Sequence, residues 1–187
     1  MSTGSKRLIL ASASPRRLEL LRQIGIEPNE IIPTDIDETP RKRELPEAYV
    51  KRMAGEKYEA IRKSADEEAV ILSADTIVAC GRRILGKPQN EAEAREFLTL
   101  LSGRRHRVYS AICVNSKTKL VKTQVKFRKL SKAELTWYIE TKEWQGKAGG
   151  YAIQGAAAAF IPWINGSYSN VVGLPLVEVR GLLSYFN

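Results

Sequence analysis

Asp75 lies inside the apolar run "AVILSADTIVAC" at 69–80. A carboxylate there is costly unless it is paired, hydrogen-bonded or bound to a metal. Strand alternation groups it with Ile71, Ser73, Ile77 and Ala79, away from Val70, Leu72, Thr76 and Val78. A strand-end bulge or a turn cap would also accommodate it. Two neighbours argue for chemistry instead. Thr76 supplies a hydroxyl, and a hairpin through "GRR" would return Lys87 of "GKP" alongside.

Arg16 and Arg17 raise a second question. In "LASASPRRLELL" they occupy about the second and third positions of a helix that Ser14 caps and Pro15 opens. Cations at this positive end of the dipole cost roughly 0.3–1 kcal/mol each. Two outcomes fit: both point into solvent, or an anion sits there. In the second case the hydroxyls of Ser12 and Ser14, free N–H groups and a guanidinium converge on phosphate. The motif is no Walker loop, because it lacks Gly-Lys-Ser/Thr.

Lys57 is the third misfit. On a helical wheel over 46–63 it falls amid Tyr49, Val50, Met53, Ala54 and Ile61. It must snorkel outward or meet negative charge. A glycine-rich stretch, "GKAGGYAIQG" at 146–155, permits close backbone approach to a ligand or forms a plain tight loop. Within it, the amide of Gln154 can both donate to and accept from a base edge.

Strands and helices alternate irregularly along the chain, an α/β or α+β pattern. Strands are expected at 7–11, 30–34 and 69–80, and helices at 14–24 and 46–63. The first helix should bury Leu18, Leu21 and Ile24 and stop at Gly25. "NEAE" at 90–93 has capping-box spacing before the stripe Ala94, Phe97, Leu98 and Leu101. A hairpin pairs 107–115 with 120–129 about "SKTK", with Val121, Thr123, Val125 and Phe127 facing inward. "SKAE" caps a helix at 131–140, Asn165-Gly166 signals a hairpin turn, and Pro175 starts a last helix.

The 187 residues are 43% hydrophobic, enough for a real core in one domain. No apolar run reaches membrane length, and "SKRLILA" is too short for a signal peptide, so a cytoplasmic protein is expected. Cys80 and Cys113 sit in apolar runs as small hydrophobes, and the single histidine, His106, is read as structural or exposed. A net charge of +9 implies an anionic partner. The basic residues are scattered, however, with no stripe interleaved with aromatics, so no specific nucleic-acid partner is expected.

The motifs together resemble the Maf family, also called septum-formation-inhibitor-like proteins. The resemblance runs through "LASASPRR", "EK" at 56–57, "SADTIV", "GKP" and "LSGRRHRV" to "KAGGYAIQG" and "INGSYSNVVGLPLVE". It implies a single domain over 1–187 with a mixed, elongated central sheet, flanking helices and two lobes around a cleft. The implied activity is hydrolysis of dTTP and UTP to monophosphate and pyrophosphate with Mg²⁺ or Mn²⁺, by a protein that is commonly a homodimer. Its implied purpose is clearance of noncanonical nucleotides or control of division.

By motif, Asp75 is the catalytic acidic residue, and Arg16, Thr76 and Gln154 match substrate-recognition positions. Lys57, Lys87 and Glu38 match other cleft positions, and Glu38 joins Asp75 as a metal ligand. An aspartate, ordinarily near pKa 3.9, is a weak base at neutral pH, so a metal would share activation of the water. The alternatives are a 7-methyl-GTP pyrophosphatase, whose branch carries Glu at the Gln154 position, and a non-enzymatic nucleic-acid-binding division regulator. Ser110, where Thr is frequent, and "AAAA" at 156–159 depart from the pattern.

Overall fold

The computed structural model describes residues 6–186. One seven-stranded mixed sheet runs through it in the order β2-β1-β3-β5-β6-β7, with β4 also on β3. The strands are β1 (Leu8–Ala11), β2 (Glu30–Ile31), β3 (Val70–Cys80), β4 (Arg83–Leu85), β5 (Arg105–Val114), β6 (Lys117–Lys126) and β7 (Trp163–Asn165). The helices are α1 (Pro15–Gln23), α2 (Pro46–Arg62), α3 (Glu91–Leu101), α4 (Lys132–Glu140), α5 (Tyr168–Val172) and α6 (Leu176–Leu183), with 3₁₀ turns at Ala148–Gly150 and Ala156–Phe160. No helix of the described residues is long and apolar enough to cross a membrane.

The arrangement of partners along β3 shapes the site. On one edge β5 pairs with it from Leu72 to Ala79. On the other edge β1 runs parallel up to Ser73, and β4 joins antiparallel only from Val78. Residues 74–77 therefore have no strand beside them on that edge. This gap lies at the carboxyl end of β1, where ligands of α/β sheets commonly bind.

Side chains of β3 alternate between two packed faces. Ile71, Ile77 and Ala79 pack under α2 with Met53, Ala54 and Ile61. Val70, Leu72 and Ala74 pack with α1 and α6 through Leu20, Leu21, Val179 and Leu182. Beyond the gap, Val78 joins a separate cluster with α3 and α4, which includes Phe97, Leu101, Tyr138 and Phe160. Cys113 and Cys80 pack in different clusters, Cys113 buried and Cys80 partly so.

Several expectations shift. α1 buries Arg17, Leu20 and Leu21, while Leu18 and Ile24 are only half buried. Its inward face is turned so that the Arg17 guanidinium reaches the protein interior. The hairpin turns at Asn115-Ser116, and β6 already begins at Lys117. Both turn residues are left-handed (φ 44° and 70°), as a tight two-residue turn requires, and Asn115 Oδ1 accepts from the Ile71 N–H. Asn165-Gly166 makes no hairpin. Ser167 instead caps α5 by accepting from the Asn170 N–H, so the chain leaves the sheet. The strand expected at 30–34 is confined to Glu30–Ile31, ahead of Pro33.

Candidate active site

A cleft of about 310 Å³ opens at the gap in the sheet. Every residue given a site role above borders it: Ser12, Ser14, Arg16 and Arg17 from the β1–α1 turn and the start of α1, Glu38 and Lys57, Asp75 and Thr76 from β3, Lys87, and Gln154. Segments more than a hundred residues apart in sequence thus converge, because β3 carries its two polar residues where no strand covers them.

Lys57 does not snorkel to solvent. It is 7% exposed, and its Nζ lies 2.7 Å from Asp75 Oδ1 and 2.7 Å from Glu38 Oε1. One ammonium thus holds two carboxylates across the cleft floor. Burial pushes the Glu38 carboxyl up, but the Lys57 hydrogen bond and charge, with Lys87 and Arg17 further off, more than offset this and hold it below its ordinary value. Lys57 engages Oδ1 of Asp75, and Oδ2 has no protein partner among the described residues.

Arg16 and Arg17 diverge. Arg17 is buried and turned inward: Nε donates to Gly173 O at 3.0 Å, one terminal nitrogen to Ser12 Oγ at 3.0 Å, and the other to Thr76 Oγ1 at 3.4 Å. Burial lowers its pKa and the Asp75 charge pulls it back, yet a guanidinium stays protonated. Three of its five N–H groups thus tie cleft segments together, an anchoring role beside the expected contact with substrate. Thr76 extends this network through Ser110 Oγ at 2.8 Å and Gly173 O at 3.2 Å. Arg16, half buried, has no hydrogen-bond or ion-pair partner among the described residues, and burial lowers its pKa. Ser14 sits at the N-cap position, but its side chain makes no capping bond.

Lys147 was missed by the sequence reasoning. It borders the same cleft, and its Nζ touches a single acceptor, the carbonyl of Gln145. Burial and then the charge of Arg16, which borders the same cleft, lower its pKa. Its position two residues before Gly149 was the available signal. Gly149 itself is left-handed (φ 69°), and a Cβ there would meet Val78 at 2.8 Å, which keeps the loop against β3.

His106 stands apart from the cleft chemistry. It is buried, with Nε2 2.8 Å from the Tyr151 hydroxyl, and burial pushes its pKa down to about 4. It is structural, as expected.

The residues present suit a hard divalent cation. Glu38 and Asp75 are oxygen donors with uncommitted second oxygens, and Mg²⁺ typically takes one or two carboxylates plus phosphate oxygens and water. Among the described residues no cluster of three or more His, Cys, Asp or Glu forms a complete cage.

Cationic walls over a carboxylate floor, at the carboxyl end of a strand in a mixed α/β sheet, define a protein built to hold a polyanion. The chain belongs to the Maf family: the family described as Maf-like protein matches residues 7–186. A relative from Cereibacter sphaeroides named dTTP/UTP pyrophosphatase is 55% identical over 181 residues, covering 95% of this chain and 93% of that protein. One from Roseobacter denitrificans with the same name is 56% identical over 179 residues, covering 94% of each. Among solved structures, a nucleoside-triphosphatase / dITP/XTP pyrophosphatase from Mycobacterium abscessus aligns over 95% of this chain and 92% of its own, at 14% identity and TM-score 0.43.

Proposed function

We propose that this chain hydrolyses dTTP and UTP between the α- and β-phosphates, releasing the nucleoside monophosphate and pyrophosphate. The observation that carries this is the convergence of Arg16, Lys87 and Lys147, none in an ion pair among the described residues, above the Glu38–Lys57–Asp75 cluster in one cleft. The names of relatives that match over more than nine-tenths of the chain support the substrate.

In this reading Arg16, Lys87 and Lys147 neutralise the triphosphate, and the unspent Ser14 hydroxyl at the α1 N-terminus donates to it. Gln154, exposed on the cleft rim, reads the pyrimidine edge. Thr76, held by Ser110 and Arg17, shapes the neighbouring wall. Asp75 Oδ2 accepts a proton from water as its oxygen attacks the α-phosphorus, and the bond to the bridging oxygen breaks with pyrophosphate departing. Lys57 fixes the orientation of Asp75 by holding Oδ1. Glu38 would hold a divalent cation, joined by Asp75 where Asp75 binds metal instead of taking the proton, and that cation would neutralise phosphate charge and acidify water. A homodimer acting in the cytoplasm belongs to the same proposal, and sedimentation of the purified protein tests the dimer.

Pyrophosphate release from a panel of nucleoside triphosphates with Mg²⁺ or Mn²⁺ tests the activity. dTTP and UTP should lead, and Gln154→Glu should weaken that preference. Leading turnover of 7-methyl-GTP, or none on any nucleotide, would refute the assignment.

A further inference from the structure

Part of the sheet face that α2 packs on is left uncovered. α2 covers it as far as Tyr109. Beyond that point three strands present a flat surface. Cross-strand register sets Arg105 opposite Lys126, which faces Trp163, while Arg107 lies opposite Gln124 and Tyr109 opposite Lys122. The alternate residues His106 and Val125 are buried beneath, so these side chains share the outer face. Arg105, Arg107, Lys122 and Lys126 are all exposed, and none enters an ion pair among the described residues. The nearby carboxylate is Glu47 of α2, at the border beside Tyr109. Directly opposed like charges destabilise a sheet, and Arg105 against Lys126 is such a pair. Among the described residues no carboxylate pairs with either cation, and Arg105 is met only by the ring of Trp163.

We propose that this face binds single-stranded nucleic acid without sequence preference, independently of the cleft. Four unpaired cations on a surface of about 13 by 10 Å match the phosphates of a short extended strand. Trp163, 36% exposed with the Arg105 guanidinium 4.9 Å from its ring centroid, offers a stacking platform for a base. A second copy of this chain would bring like charge against like. A bilayer is disfavoured because no aliphatic side chain accompanies Trp163 on these positions. Cations that look scattered in the sequence are thus gathered by the strand register, beside an aromatic.

The test is fluorescence anisotropy of a labelled oligo(dA) of about 20 nucleotides over about 50 to 200 mM salt. The wild-type affinity should fall with a log–log slope of about −2 to −3, at roughly 0.7 per phosphate contact. Arg105→Glu with Lys126→Glu should weaken binding at least about tenfold and flatten the slope by about 1.4, with an unchanged unfolding temperature. Trp163→Ala should cost at least about fivefold with the slope retained. The cleft variant Lys87→Ala should bind as wild type. Absence of binding at the lowest salt, unchanged affinity in both face variants, or loss of binding in Lys87→Ala overturns the proposal. Capture by phosphatidylserine vesicles with no affinity for the oligonucleotide would overturn it too, by giving the face to a membrane.

Discussion

Replacing Lys57 with methionine removes the cation that Glu38 and Asp75 share. Methionine suits the site sterically, since Met53, Ala54 and Ile61 already line that face of α2. The loss is therefore electrostatic: Asp75, 8% exposed, is left without its cationic partner. Breaking a buried pair in this way costs about 3–5 kcal/mol, and the half-open position of Glu38 places the effect at the lower end, about 3 kcal/mol. For a chain of this size that lowers the unfolding temperature by roughly 6–12 °C.

The deficit has a pH signature. Glu38 is held below its ordinary value of 4.5 in the folded state. Its pairing therefore contributes fully above that pH and fades as pH falls through the folded value. The gap between wild type and Lys57→Met should narrow in acid, where Glu38 takes up a proton and its pairing with Lys57 no longer contributes. Adding Asp75→Asn to Lys57→Met should recover much of the loss, because the unpaired charge is gone. Thermal unfolding by circular dichroism across pH 3–8 would read all of this. An unchanged unfolding temperature in Lys57→Met, or a double variant no more stable than the single, would refute the reasoning.

Arg17→Lys keeps the charge but cannot span Ser12, Thr76 and Gly173 together, so kcat/KM for dTTP should fall about tenfold or more while Arg17→Met falls further. Equal losses in the two would show that geometry is not what Arg17 supplies. His106, ordinarily near 6.5 and about 4 when folded, stays neutral while the unfolded chain takes up a proton. Stability should therefore drop by about 3 kcal/mol as pH falls from 6.5 to 4, and His106→Gln should flatten that slope.

Rules of local chemistry made much of this legible in the sequence. Strand parity grouped Asp75 with Ile71, Ile77 and Ala79, and the helical wheel set Lys57 amid Met53, Ala54 and Ile61; the structure packs those two faces together, so the two misplaced charges meet as an ion pair. "SKAE" announced a helix cap, and the structure makes it a full capping box between Ser131 and Glu134; "NEAE" announced a box, and there Asn90 caps by accepting from the Glu93 N–H. What escaped depended on distance along the chain. Spacing could not tell which arginine of the pair turns inward, because that follows from Gly173, 156 residues away. Lys147 carried no local violation, sitting in an ordinary loop. The basic face was hidden because β5, β6 and β7 each contribute only a few of its residues, and only their register assembles it. Asn165-Gly166 misled because a hairpin needs a returning strand, and the Ser167 cap turned the chain into a helix.

In the proposed reaction Asp75, at the gap in the sheet, takes the proton from the water that attacks the bound triphosphate. Asp75→Asn, measured for pyrophosphate release from dTTP alongside equilibrium nucleotide binding, tests it most directly. Turnover should fall about a hundredfold to ten-thousandfold while the folded protein still binds dTTP. Wild-type turnover in that variant would contradict the account.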